Sequence, residues 1–166
     1  MSPAGPYTYH QLTSEDVERL KDLLRVFGEA FEDVESYQHF VPSDAYLLRL
    51  LGTDHFIAVV AMEGNDVVGG LAAYELDKFE QDRREIYIYD LAVAREHRRR
   101  RVASGVIDKL KDIAAPRDVY VIFVQADLED GPAIALYESL GAGNTALHFD
   151  IEVPQGKRKR LSETSD

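Results

Sequence analysis

The stretch from Glu85 to Val124 constrains the fold more than any other part of the chain. It opens with EIYIYDLAV (Glu85 to Val93), a run of β-branched and aromatic residues that reads as a strand. After a short loop come four consecutive arginines, Arg98 to Arg101. Val102, Val106, Ile107, Leu110 and Ile113 then recur at helical spacing until Pro116 breaks the pattern. The stretch closes with VYVIFV (Val119 to Val124), apolar enough to predict a central strand covered on both faces. A strand, a helix and a strand in succession bring the chain back alongside itself, which predicts a parallel pair in an α/β domain.

The flanking sequence adds antiparallel structure. Tyr7 to Leu12 reads as a first strand, and T-S-E-D from Thr13 resembles a capping box with Asp for Glu. Val17, Leu20, Leu23, Leu24, Phe27 and Phe31 form one helical stripe. A polar, aromatic connection (32–41) leads to a short helix that starts at Pro42-Ser43-Asp44 and stops at Gly52. Phe56 to Met62 and Val67 to Leu76 flank a Glu-Gly-Asn-Asp turn and predict a hairpin. A charged loop (77–84) follows. Pro132 marks the start of a last helix, which Gly141 ends, and Leu147 to Val153 predicts a closing strand. The expected order is β-α-α-β-β-β-α-β-α-β, in a mixed, mostly antiparallel sheet with a parallel central pair flanked by helices.

At 166 residues the chain suits one domain, expected over 1–153, followed by a flexible polar and basic tail over 154–166. With 45 % hydrophobic and 30 % charged residues the composition is that of a soluble globular protein. There is no cysteine, which excludes thiolate nucleophiles, disulfides and cysteine metal sites. The five histidines show no paired ligand spacing, so no metal is expected. No signal-peptide pattern or membrane-length apolar run is seen, which suggests a cytoplasmic protein without a membrane partner. The net charge of −11 disfavours nucleic acid and favours cationic ligands, although acidity also simply keeps a protein soluble. No serine-hydrolase elbow or P-loop is present.

The arginine run stands out against this acidic background. Backbone N–H groups at a helix start attract phosphate, and guanidiniums add forked donors. A solvated charge run is the bland alternative. Here the sequence resembles the GCN5-related N-acetyltransferases. Arg98 and Ala103 match the first and last positions of their Gln/Arg-x-x-Gly-x-Gly/Ala acyl-CoA motif. Arg101 stands where that family usually has Gly, so either the loop shifts, or Arg101 points outward or along the phosphates. The VYVIFV strand and the A-L-Y-x-x-L-G helix (Ala135 to Gly141) occur in the family's order. The resemblance implies acetyl-CoA as cosubstrate, held by Leu91, Ala92, Val93, Arg98, Arg99, Arg100, Arg101, Val102, Ala103 and Ser104.

A longer resemblance runs from about Phe27 to Ile151. LAAYELDKFEQ, EIYIYDLAV, EHRR, YVIFVQAD, ALY and HFDI are similar to the type I aminoglycoside 3-N-acetyltransferases. It implies acetyl transfer to the 3-amino group of an aminoglycoside such as gentamicin. Asp90 is the expected base or amine anchor; the bland alternative is a strand carboxylate satisfied by neighbouring backbone. Strict alternation puts Asp90 on the face of Ile86 and Ile88, whereas the bulge common in this family would re-aim it. Tyr137 matches the family's general acid, although its neighbours also suit core packing. Asp33, Glu80, Tyr89, Asp127 and Asp150 are expected at the substrate, with His148 a further candidate. For each acid a solvated surface position competes. Relatives dimerise through sheet or helix surfaces, so a homodimer is compatible with the sequence. The rival readings are an acetyltransferase for another polyamine or peptide amine, and a non-catalytic CoA-binding regulator.

Overall fold

A computed structural model describes residues 5–154. Five strands form one sheet in the order β1-β2-β3-β4-β5. These are β1 (Tyr7–Gln11), β2 (Phe56–Glu63), β3 (Asp66–Asp77), β4 (Arg84–Val93) and β5 (Val119–Val124). The first four pair antiparallel and β4 pairs parallel with β5. The helices are α1 (Val17–Ala30), α2 (Asp44–Leu51), α3 (Val102–Ala114) and α4 (Gly131–Glu138). The mixed α/β architecture with a parallel pair therefore follows the sequence expectation. None of the helices among the described residues is long and apolar enough to cross a membrane.

The sheet separates two cores. On one face, α3 buries Val102, Val106, Ile107 and Leu110 against Ile57, Val59, Leu71, Ile86 and Ile88. On the other, α1 and α2 bury Leu20, Leu23, Phe27 and Leu47 against Phe56, Ala58, Val60 and Met62. β2 serves both, which is why FIAVVAM is apolar without alternation. Glu75 of β3 clasps the start of the parallel pair, accepting from Arg117 Nε at 2.6 Å and lying 3.2 Å from Arg84 Nη1.

Four expectations need correction. α1 begins after Asp16, whose carboxylate accepts from the Thr13 N–H (2.9 Å) and hydroxyl (3.0 Å). The Thr13 motif thus folds the approach to the helix instead of capping it. The connection at 32–41 contains a π-helical turn, Glu35–His39, where a loop was expected. β5 is an edge strand among the described residues, not a covered central one: Ile122 and Val124 pack toward the α3 core, while Tyr120, Val121 and Phe123 stay exposed. Leu147 to Val153 forms no strand, because no partner strand meets it among the described residues. The basic tail lies outside the described residues from 155 onward.

Candidate active site

β3 and β4 fall out of register between Ala72 and Ala73, which face Asp90 and Ile88. Tyr89 is the extra residue, and this bulge reverses the parity of β4 beyond it. Ile86 and Ile88 belong to the α3 core, whereas Asp90 opens onto the α1–α2 side beside Ala72, Tyr74, Phe27 and Tyr46. The anticipated bulge therefore decides where the carboxylate points. It lines a cavity of about 200 Å³ whose other walls are mainly aliphatic and aromatic.

Asp90 is half-buried, and that burial pushes its carboxyl above the usual range. The opposing influence is one hydrogen bond, from Tyr37 Oη to Asp90 Oδ1 at 3.0 Å. Burial, with the Asp90 charge next, raises the Tyr37 phenol in turn, so it stays protonated and donates. Tyr37 sits on the π-helical turn, which the sequence presents only as the polar stretch E-S-Y-Q-H. Nothing in the hydropathy pattern marks that turn, so the residue was missed.

Around Asp90 the β4 side of the cleft is aromatic. Tyr89 is 63 % exposed and packs edge-on against Tyr74 (6.1 Å between centroids) and Tyr87 (5.5 Å). Tyr87 stacks flat on Phe123 of β5 at 4.8 Å. Ring faces of this kind attract cations and shield a charged ligand from water. The structure thus gathers Tyr37, Tyr74, Tyr87, Tyr89 and Phe123 near Asp90; of these, only Tyr89 was expected at the substrate.

The expected acids scatter. Asp33 accepts from the Ser36 N–H at 3.0 Å, a local turn contact that holds its carboxyl below the usual range. It is still close enough to perturb Tyr37. Glu80 lies in the exposed 78–83 loop between Lys78 (3.4 Å) and Arg83 (3.7 Å). Asp127 is exposed on the β5–α4 loop. Asp150 contacts His148 at 3.0 Å on the strandless, exposed segment. Tyr137 of α4 is half-buried against the α3 core, and burial followed by the Asp130 charge raises its phenol.

The β4–β5 ladder ends at Ile88 and Val124. Beyond it, β4 keeps β3 on one edge through Val93, while its other edge has no strand partner among the described residues. Leu91 to Val93 therefore offer backbone N–H and C=O groups along that edge, with Ala92 and Val93 side chains buried as anchors. The opening leads to the start of α3, which no side chain caps. Arg98 Nε donates to the Val93 carbonyl at 3.0 Å, fastening the loop to the strand end. Arg98, Arg99, Arg100 and Arg101 are all exposed. Val102 is buried in the core, leaving its backbone as its contribution. Ala103 and Ser104 follow it in the first turn of α3, whose free N–H groups suit an anion.

Arg99 and Arg101 adopt left-handed backbone, with φ 59° and 63°. The Arg101 side chain is exposed. A non-Gly residue there is strained by roughly 1–2 kcal/mol, against about 0.5–1 kcal/mol of extra entropy loss for Gly. Arg101→Gly should therefore raise the melting temperature by a few degrees. An unchanged or lower value in a thermal scan would show that Arg101 makes a compensating contact.

The edge opening, the uncapped helix start and the basic loop lie together on one α/β sheet, where they suit a phosphate-bearing ligand. Residues 17–142 match the acetyltransferase (GNAT) family, and the chain belongs to it. Comparison with curated proteins gave no significant match. Among solved structures, the aminoglycoside acetyltransferase HMB0005 from an uncultured soil metagenomic sample is 57 % identical. That alignment covers 89 % of this chain and 99 % of the other, with a TM-score of 0.87. The aminoglycoside acetyltransferase meta-AAC0020 from an uncultured soil metagenomic sample, in complex with sisomicin, is 28 % identical, covering 89 % and 97 % (TM-score 0.83). Aminoglycoside N-acetyltransferase AAC(6')-Iy in complex with CoA shares the fold at 16 % identity, 92 % and 99 % coverage and TM-score 0.71.

Proposed function

We propose that this chain is a cytoplasmic aminoglycoside N-acetyltransferase that moves the acetyl group of acetyl-CoA to the 3-amino group of a drug such as gentamicin. The observation that carries the substrate class is the 57 % identity to an aminoglycoside acetyltransferase over nearly all of that protein. The regiochemistry rests on the resemblance of segments such as EIYIYDLAV and YVIFVQAD to the type I 3-N enzymes. The residues fit acetyl-CoA: the uncapped α3 start and arginine loop suit its phosphates, and the free β4 edge suits its amide-bearing arm. When bound, it supplies an activated thioester.

In this reading the aromatic floor and Asp90 hold a substrate ammonium, and the −11 net charge draws polycations toward it. Asp90 takes a proton from the amine, directly or through water, and its raised carboxyl makes it a better base than an ordinary aspartate. The amine nitrogen bonds to the thioester carbon, and a β4 backbone N–H steadies the developing oxyanion. The carbon–sulfur bond breaks, and Tyr137 gives its proton to the leaving sulfur. With no cysteine in the chain, no acetyl-cysteine intermediate forms. Asp33, Glu80, Asp127 and Asp150 remain candidate outer contacts for the drug's other amines and hydroxyls.

Thiol release from acetyl-CoA tests the reading with gentamicin, kanamycin, spermidine and a basic peptide, followed by NMR of the product. Turnover on gentamicin with acetate on the 3-amino group is expected. Acetate at another amine overturns the regiochemistry, and turnover confined to spermidine or peptide overturns the drug class. CoA binding without any turnover would favour the regulatory reading.

Tyr37 positions Asp90 in this scheme. Tyr37→Phe removes the one hydrogen bond that favours the ionised carboxylate, so the Asp90 carboxyl rises further. The acid limb of the kcat/KM profile should move to higher pH, while the basic limb, assigned to Tyr137, stays in place. An unmoved acid limb would show that Asp90 is not the group titrating there.

A further inference from the structure

The cavity beside Asp90 differs in chemistry from the rest of the cleft. Its walls, enclosing about 200 Å³, are Leu20, Leu23 and Phe27 of α1, Leu47 and Leu50 of α2, and Phe56 of β2. Asp90 is the one charged side chain among its lining residues. Tyr46, 47 % exposed, stands where the cavity opens. A hydroxylated sugar ring placed inside would bury its hydroxyls against aliphatic and aromatic carbon, and each lost hydrogen bond would count against it. A hydrocarbon ring meets no such cost. An apolar cavity of ~150 Å³ lined by Leu, Ile and Phe is enough to take up benzene. About 200 Å³ therefore suffices for a six-membered ring with one attached carbon.

The carboxylate supplies what a purely apolar cavity lacks. Tyr37 donates to Asp90 Oδ1, so Oδ2 is the oxygen left to accept from an ammonium. Charge and cavity share one wall, because Ala72, opposite Asp90 in the β3–β4 ladder, also lines the cavity. We propose that the chain acetylates a second class of acceptor: small hydrophobic primary amines in which one hydrocarbon ring carries an aminomethyl group. The ring fills the cavity and the ammonium rests on Asp90. Such a ligand is complementary to the site in both respects, apolar where the walls are apolar and cationic at the single carboxylate.

The inference rests on the proposed function for the acetyl donor and for Asp90 as base. Asp90 immediately precedes Leu91, the first residue of the free β4 edge assigned above to acetyl-CoA, so the held nitrogen lies beside that edge. The ammonium gives one proton to Asp90, which passes it to water. The nitrogen then bonds to the thioester carbon, and the carbon–sulfur bond breaks. The leaving sulfur takes its proton from Tyr137, which is restored by the second proton the nitrogen sheds. The products are the N-acetyl amine, CoA as the thiol, and one proton in solution.

Benzylamine is the probe, and methylamine its counterpart with the charge but no ring. Equilibrium binding to the full chain at about pH 8 should favour benzylammonium over methylammonium by at least about 30-fold, the gain expected from burying such a ring. Thiol release from acetyl-CoA with benzylamine should yield N-benzylacetamide by mass spectrometry. Ala72→Leu extends a branched side chain into the cavity and should lower kcat/KM for benzylamine by a similar factor. Equal binding of the two ammoniums overturns the proposal in the parent chain, whether or not the variant folds. A folded variant that acetylates benzylamine at the parent rate overturns it as well. So does binding without N-benzylacetamide where gentamicin is turned over. N-benzylacetamide with gentamicin inert removes the drug assignment and leaves this inference standing, whereas no thiol from either amine removes both.

Discussion

Asp90→Asn is expected to lower kcat by about 10²-fold or more, while acetyl-CoA binds as in the parent chain. The amide keeps the shape and still accepts from Tyr37, but it neither takes a proton nor holds an ammonium by charge. Single-turnover rates with the drug in excess, beside calorimetry with CoA alone, separate the two quantities. Parent-like rates across pH would remove both the base and the anchor roles. Stability should move the other way. A carboxyl raised in the folded state contributes stability that is present below its unfolded pKa and lost as pH rises through its folded one. The amide has no such loss, so the variant should gain stability relative to the parent through that window. Chemical denaturation at acid and neutral pH checks the sign.

Gly70→Val should be the most damaging substitution outside the site. A Cβ at this position would stand 2.4 Å from the Val59 carbonyl oxygen and 2.7 Å from Leu23 Cδ1. Val60 pairs with Gly70 in the β2–β3 ladder, so the backbone has no room to withdraw. Relief requires parting two central strands or lifting α1, costing about 3 kcal/mol or more and leaving little folded protein at 37 °C. Gly105 is a milder case, because its Cβ would meet the Tyr9 ring, a side chain able to swing. A Gly70→Val chain melting within a few degrees of the parent would show that the sheet yields more easily than its packing indicates.

Sequence periodicity located α1, α2 and α3 because each stripe faces one core, while the Glu-Gly-Asn-Asp turn located the hairpin. It failed where a residue's surroundings depend on distant parts of the chain. VYVIFV reads as covered on both sides, yet its apolar face toward Tyr87 is only partly filled and its outer edge is open. LHFDIEV has strand alternation but no strand to pair with among the described residues. The orientation of Asp90 turned on a one-residue bulge, which alternation alone places on the wrong face. Tyr37 was invisible because a π-helical turn, not a regular period, delivers it to Asp90. Asp33 and Glu80 are expected at the substrate by resemblance of their segments to the aminoglycoside enzymes, and the structure shows each already engaged by a neighbour: a backbone N–H for Asp33, two cationic side chains for Glu80.

The clasp of Glu75 with Arg84 and Arg117 has a mechanical consequence. It joins β3, β4 and the approach to β5 at the end of the parallel pair where the two strands are still laddered. The strands part only at the other end, past Ile88 and Val124, so the pair works like a clothes-peg with its spring at Glu75. The gape is then fastened at its far end by charges that lie outside it. Glu75→Gln would loosen that spring without touching a residue of the jaw.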